Sequence, residues 1–325
     1  MRLGADGLSW LNSGLMVASA AAAIVAPYHL FLGAYAILGP LHYLTQISWL
    51  HDRGYFAARP AARRLWLLLV AAAVSVITFA YVASEIVHRP AGGDAAVALV
   101  YLVFVSAALV NYARGWPDAI AVLALTALAM VFTSRAPAYG STAFLLLTVV
   151  HVFLFTAGFI FYGARKSHSA AGLVSLVVFL ACAAAVVSWR APFLPAGPEA
   201  RSLLAPFGPL GAELLRLVGR SGDGLDEGRG IGVWRFLAFA YTYHYLNWFS
   251  KTSVIRWHEI PRRRGVAIFL LWLAGLALYG LDYRLGFATF YLLSVLHVLL
   301  EFPLDHRTFV AMLRPARLPR PSEAV

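Results

Sequence analysis

The chain has 325 residues, 61% of them hydrophobic and 13% charged, with a mean hydropathy of +0.74 and a formal net charge of +11. A soluble domain carries about 25% charged residues, so this composition excludes an ordinary water-soluble globule and points to an integral membrane protein. The lone cysteine, Cys182, excludes an intramolecular disulfide framework, a cysteine-ligated iron–sulfur cluster and a Cys-x-x-Cys-His haem attachment.

A membrane-spanning helix needs roughly 20 predominantly apolar residues. On that measure ten spans are predicted, at about 10–28, 30–50, 65–87, 95–113, 118–134, 141–164, 171–189, 231–250, 265–282 and 285–302. The expected fold is an all-α, polytopic helical bundle forming a single transmembrane domain over 1–325. Most connections are short, which makes neighbouring helices antiparallel. The ASAAAA stretch near the N-terminus has the small residues of a signal-peptide cleavage region. The apolar run is long and another follows at once, so it reads as a first span that is kept.

One connection is long, about 190–230, and falls on the outer side. Its first part has apolar residues at near-helical spacing, broken by Pro206 and Pro209. This predicts a short amphipathic segment on the outer membrane surface or over the mouth of the bundle. Its second part, SGDGLDEGRGIG, reads as a flexible linker, and GRGIG lacks the Lys-Ser/Thr ending of a phosphate loop. The Pro- and Arg-rich tail, about 314–325, is expected to be disordered against anionic headgroups.

With ten spans, most of the 26 Lys and Arg residues fall on the side that holds both termini. The positive-inside rule makes that side cytoplasmic, with the chain in the cell (inner) membrane. The same rule accounts for the net positive charge without a nucleic-acid partner, for which no motif is present. Lys251, Arg256, Arg262, Arg263 and Arg264 lie together in one such loop. They are assigned to lipid headgroups or to the docking of an acidic cytoplasmic electron donor.

The histidines fall in a pattern. His42, His151, His244 and His297 sit inside predicted spans that run in the same direction, towards the cytoplasmic half of the membrane. His297 and Glu301 are spaced i, i+4 and share one helix face. Ionisable side chains are costly within a membrane and mark functional sites by default. Imidazoles mixed with a carboxylate suit iron, manganese or zinc, and open coordination positions favour non-haem iron. His42, His151, His244, His297 and Glu301 are therefore the expected metal ligands. Gln46, Asn247 and Asn111 are expected to support them, the first two by orienting imidazoles. His51, His258 and His306 are candidates for a second metal or for the interface, and His306 is expected beyond the helix end imposed by Pro303. Gly39-Pro40 is expected to kink the second span and aim His42 inward.

These residues point to a membrane metal-dependent oxidoreductase with a hydrophobic small-molecule substrate. The HxxxH and HxxHH boxes of membrane fatty-acid desaturases and hydroxylases are not present, so the likeness is one of chemical strategy alone. Three other classes use the same residues differently. A haem-binding electron carrier would take two of the histidines as axial ligands. A metal-ion or small-molecule transporter would pass its cargo along them, and an assembly protein would only pack them.

Overall fold

The computed structural model describes residues 4–54, 60–85, 87–89, 91–112, 115–133, 140, 143, 145–219, 222 and 227–313. Helices α1 (Ala5–Val25), α2 (Pro27–Asp52), α3 (Pro60–Glu85), α4 (Gly93–Tyr112), α5 (Trp116–Thr133), α6 (Leu146–Lys166) and α7 (Ala170–Ser188) precede the long connection. That connection contains α8 (Pro198–Leu204) and α9 (Gly208–Leu217). It is followed by α10 (Glu227–Ser250), the short α11 (Thr252–Ile255), α12 (Arg262–Leu281) and α13 (Tyr283–Leu313). No strand occurs among the described residues.

Among the described residues, eight of these helices, α1 to α4, α6, α7, α12 and α13, are long and apolar enough to cross a membrane. The other two predicted spans coincide with α5 and α10, which are not in that set. In α10 the apolar sequence is interrupted by Arg235 and Thr242, which are buried, and by His244 and Asn247, which are half-buried. Arg59, Arg114, the tail 314–325 and much of the Gly-rich linker lie outside the described residues.

α13 departs from expectation. It does not end at Pro303 but continues to Leu313. Proline removes one backbone donor and displaces the carbonyl a turn earlier. α4 braces the helix just past this break: Asn111 Nδ2 donates to the Pro303 carbonyl (2.7 Å), and Arg307 Nε donates to Asn111 Oδ1 (2.7 Å). Asp305 and His306 are therefore helical residues, with Asp305 buried.

Two helices contain π-helical turns, Ala34–Leu38 in α2 and Leu146–Phe155 in α6. Such widened turns re-aim the side chains that follow and recur at functional sites. One leads directly into Gly39-Pro40 and His42; the other contains His151. Gly39 is also a point of close approach. A Cβ there would lie 3.0 Å from Tyr43 Oη and 3.3 Å from Tyr245 Oη.

Two buried apolar clusters fill the bundle. One joins α1, α2, α7 and α10 with the connection helices, and the other joins α3 and α4 with α13. The amphipathic segment turns its apolar side inward: Leu204, Phe207, Leu210 and Leu214 belong to the first cluster. Phe207 packs edge-on against Phe31, Tyr35 and Phe287, closing that end of the bundle.

Arg235 is the buried charge of this end. Its guanidinium donates to the carbonyls of Ile24 (3.1 Å), Ala191 (2.7 Å) and Trp189. Ile24 and Trp189 lie at the C-terminal ends of α1 and α7, where helix carbonyls lack intrahelical partners and carry partial negative charge. Arg235→Met keeps most of the side-chain volume but orphans all three carbonyls. It is expected to cost on the order of 2–5 kcal/mol, seen as a lower thermal midpoint of the detergent-solubilised protein.

Candidate metal centre

Four helices meet at the histidines. α2 brings His42, α6 His151, α10 His244, and α13 His297 together with Glu301. On α13, residues 297, 301 and 305 repeat every fourth position, so His297, Glu301 and Asp305 form one buried stripe.

The imidazoles touch one another. His42 Nε2 lies 3.1 Å from His244 Nε2. The His42 and His297 ring centroids are 5.4 Å apart, and His151 lies 5.1 Å from both His244 and His297. One ligand nitrogen from each of His42, His244 and His297 falls within 4.8 Å of the other two, and this group can hold a metal ion. Metal–nitrogen bonds of about 2.0–2.1 Å, at angles of about 90–110°, place two ligand nitrogens roughly 2.8–3.4 Å apart. The His42–His244 pair already has that spacing.

Hydrogen bonding divides the ring atoms. His244 Nδ1 is 2.9 Å from Thr156 Oγ1, which fixes the ring and leaves Nε2 for the centre. His42 Nδ1 and both ring nitrogens of His151 and His297 have no hydrogen-bond partner. Buried polar atoms are normally paired, and each orphan costs about 1–3 kcal/mol. A cation would relieve one orphan on His297, where stacking on Tyr43 already holds the ring (4.3 Å between centroids). Tyr43 is itself anchored by a 2.6 Å hydrogen bond between its Oη and that of Tyr245.

Glu301 stands beside this trio. It accepts a hydrogen bond from Gln46 Nε2, and its Oε2 lies 3.7 Å from His151 Nε2. The expected five-ligand set thus resolves into a triad, His42–His244–His297, and a neighbouring pair, His151–Glu301. The supporting roles also need correction. Gln46 holds Glu301 rather than an imidazole, and Asn247 Oδ1 accepts from Tyr243 Oη at 3.4 Å rather than from a histidine. Thr156 does the work expected of Asn247, and Asn111 braces α13 at Pro303.

The remaining histidines lie apart. His51 is exposed and paired with Asp52 (3.2 Å), and His258 is exposed against Trp257. His306 Nε2 donates to the Phe104 carbonyl (2.8 Å). None of these three joins the cluster. Of the basic loop residues, Arg262 and Arg263 are exposed, Arg264 pairs with Asp52 (2.5 Å) and Arg256 approaches Glu259 (3.8 Å). Lys251 differs, being half-buried and facing a cavity.

That cavity, about 370 Å³, abuts the centre. His42, His151, His244, Gln46 and Glu301 form its deep wall. Phe155, Phe159, Ile160, Met16 and Trp248 supply apolar sides. Asn12, Asn247 and Lys251 lie towards the end of the bundle that carries the start of α1 and the ends of α2 and α10. His42 and His244 of the triad thus line an apolar chamber, while His297, which packs against His42, is not among its lining residues. Comparison with protein families, with curated protein sequences and with solved structures finds no match.

The Gln46–Glu301 contact yields a double-mutant test. With chelator present, Gln46→Leu should lower stability by about 1–3 kcal/mol, because it leaves a buried carboxylate without its donor. Adding Glu301→Leu should recover most of that loss, since removing both partners leaves no orphan. Thermal melts of the two single variants, the double variant and the parent check this.

Proposed function

We propose that this protein is a membrane-embedded, metal-dependent oxidoreductase that uses non-haem iron on a lipid-soluble substrate. The observation that carries the reading is the convergence of His42, His244 and His297 from three helices onto one point beside an apolar cavity. Three imidazoles next to a buried carboxylate match the ligand chemistry of non-haem iron, and zinc also accepts three histidines. The iron would supply dioxygen activation. The chain's own part is to fix the ligands, exclude bulk water and present the substrate.

Each element has a role in this reading. Thr156 sets the His244 ring, and Tyr43 stacks behind His297. His151 and Glu301, at the cavity wall, are placed to complete the ligand set or to handle a proton next to it. The basic end of the bundle, with Arg53, Arg256, Arg262 and Arg263 exposed, is the cytoplasmic face of the cell membrane. There it meets lipid headgroups and docks the acidic donor that returns electrons to the iron. A haem carrier fits less well. A porphyrin must lie between its two axial imidazoles, whereas these rings pack directly against each other.

Metal analysis and an optical spectrum of detergent-purified protein test the proposal. Near-stoichiometric iron without a haem Soret band is expected. It should fall to background in His297→Ala and in the more conservative His297→Gln, with the helical circular dichroism of both variants unchanged. Absence of metal from the parent after anaerobic purification and reconstitution would sink the metal centre. A Soret band would replace it with a haem carrier.

A further inference from the structure

The cavity has two chemically unlike ends. At the deep end lie the imidazoles and Glu301, the one carboxylate among its described lining residues. Towards the bundle end lies Lys251. His244 and Asn247 lie on α10 and Lys251 in the turn just past its last residue, at i, i+3 and i+7, and all three line the cavity. At 1.5 Å per residue, seven residues separate the cationic position from the histidine by about 10 Å along the helix.

Lys251 has no ion-pair partner among the described residues. Its backbone is fixed, because its carbonyl accepts from Val254 N–H (2.9 Å) and Ile255 N–H (2.8 Å). It lines the cavity, and burial pushes its pKa down to about 8. A cation held in low dielectric without a counter-charge is a liability that an incoming anion would relieve. The neighbouring surface is also positive. Arg53 and Arg256 line an adjoining hollow that shares Trp49, Val254 and Ile255 with the cavity.

We propose that the cavity takes a single-chain amphiphile with an anionic headgroup, the headgroup on Lys251 and the apolar chain extending towards His42, His244 and His297. This deepens the oxidoreductase reading by naming its substrate class, and rests on it for the purpose of the deep end. The orientation is set by Lys251, the one lysine or arginine among the described lining residues, which draws the anionic head to its end of the cavity. Size sets the single chain, because about 370 Å³ is near the lower end of the roughly 300–1,000 Å³ of small-molecule sites. Phe155, Phe159 and Ile160 give the chain its apolar lining.

Displacement of the fluorescent fatty acid cis-parinaric acid from protein in neutral detergent tests this. Dodecanoic acid, dodecyl phosphate, dodecanol and dodecyltrimethylammonium are compared as competitors. At least one of the two anions should compete on the order of tenfold better than dodecanol, the effect of one charge-assisted contact. Which anion is stronger distinguishes a carboxylate from a phosphate headgroup. Lys251→Gln should erase the preference and Lys251→Arg should retain it. Equal competition by acid, phosphate and alcohol, stronger competition by the cation, or an unchanged preference in Lys251→Gln would overturn the proposal. The same assay on His297→Ala separates the two readings: anion preference in a protein that holds no metal supports the headgroup site independently of the iron.

Discussion

Ring nitrogens and carboxylate oxygens buried among apolar helices have no water to meet them, and much of this bundle is arranged around that constraint. Where a partner exists, it is specific: Thr156 for His244, Gln46 for Glu301, three carbonyls for Arg235. Where none exists, the orphans are gathered. His42, His151, His297 and Asp305 all carry unpartnered polar atoms, and His42, His151 and His297 form one contact group. Scattered orphans would be defects, each with its own desolvation cost. Rings gathered in this way let one cation satisfy lone pairs from several of them together, and His42, His244 and His297 can hold a metal ion.

The scaffold supports this concentration through backbone irregularity in the helices that carry it. α2 and α6 contain π turns at or just before their histidines, and α13 runs through Pro303 immediately after Glu301. A regular helix advances by a fixed angle per residue, so it can present a side chain only where its packing register allows. Local widening or a missing hydrogen bond lets one residue turn away from that register while the rest of the helix keeps its apolar contacts. The Asn111–Pro303 and Asn111–Arg307 bonds hold the interrupted part of α13 in place. The aromatic pair Tyr43–Tyr245, admitted by Gly39, anchors the ring against which His297 stacks.

Much of this architecture can be read from the sequence, since the length of apolar runs reports directly on helices in hydrocarbon. All ten predicted spans coincide with helices, eight of them apolar and long enough to cross a membrane. The triad was legible for a related reason: an imidazole in such a run is costly, and three at similar depth on spans running the same way are expected to meet, as His42, His244 and His297 do. The partners were less legible. Gln46 and Asn247 lie one turn and nearly one turn beyond a histidine on their own helices, so helix spacing pairs them with it. Side chains in a bundle choose partners across helices, and Thr156 reaches His244 from α6, a contact with no periodicity in the chain. The run of α13 past Pro303 was also hidden, because the side chain that braces the helix there comes from α4.

The two ends of the bundle are built on opposite principles, and this bears on what the centre can do. On one side of the histidines, Phe31, Tyr35, Tyr241, Phe207 and Phe287 interlock and α9 packs beside them. On the other side lies the cavity, with Lys251 along its wall. The aromatic rings and the packed helix make the first side apolar among the described residues, in contrast with the chamber on the second. A chamber that dead-ends at a cluster of ligand nitrogens instead holds one end of a guest against the site while its other end stays near the surface. The apolar lining selects the guest's body, the cation its head, and the distance between Lys251 and His244 the position along the chain that reaches the centre. Specificity of that kind is a matter of length and register, which a rigid helix such as α10 can set more sharply than a loop.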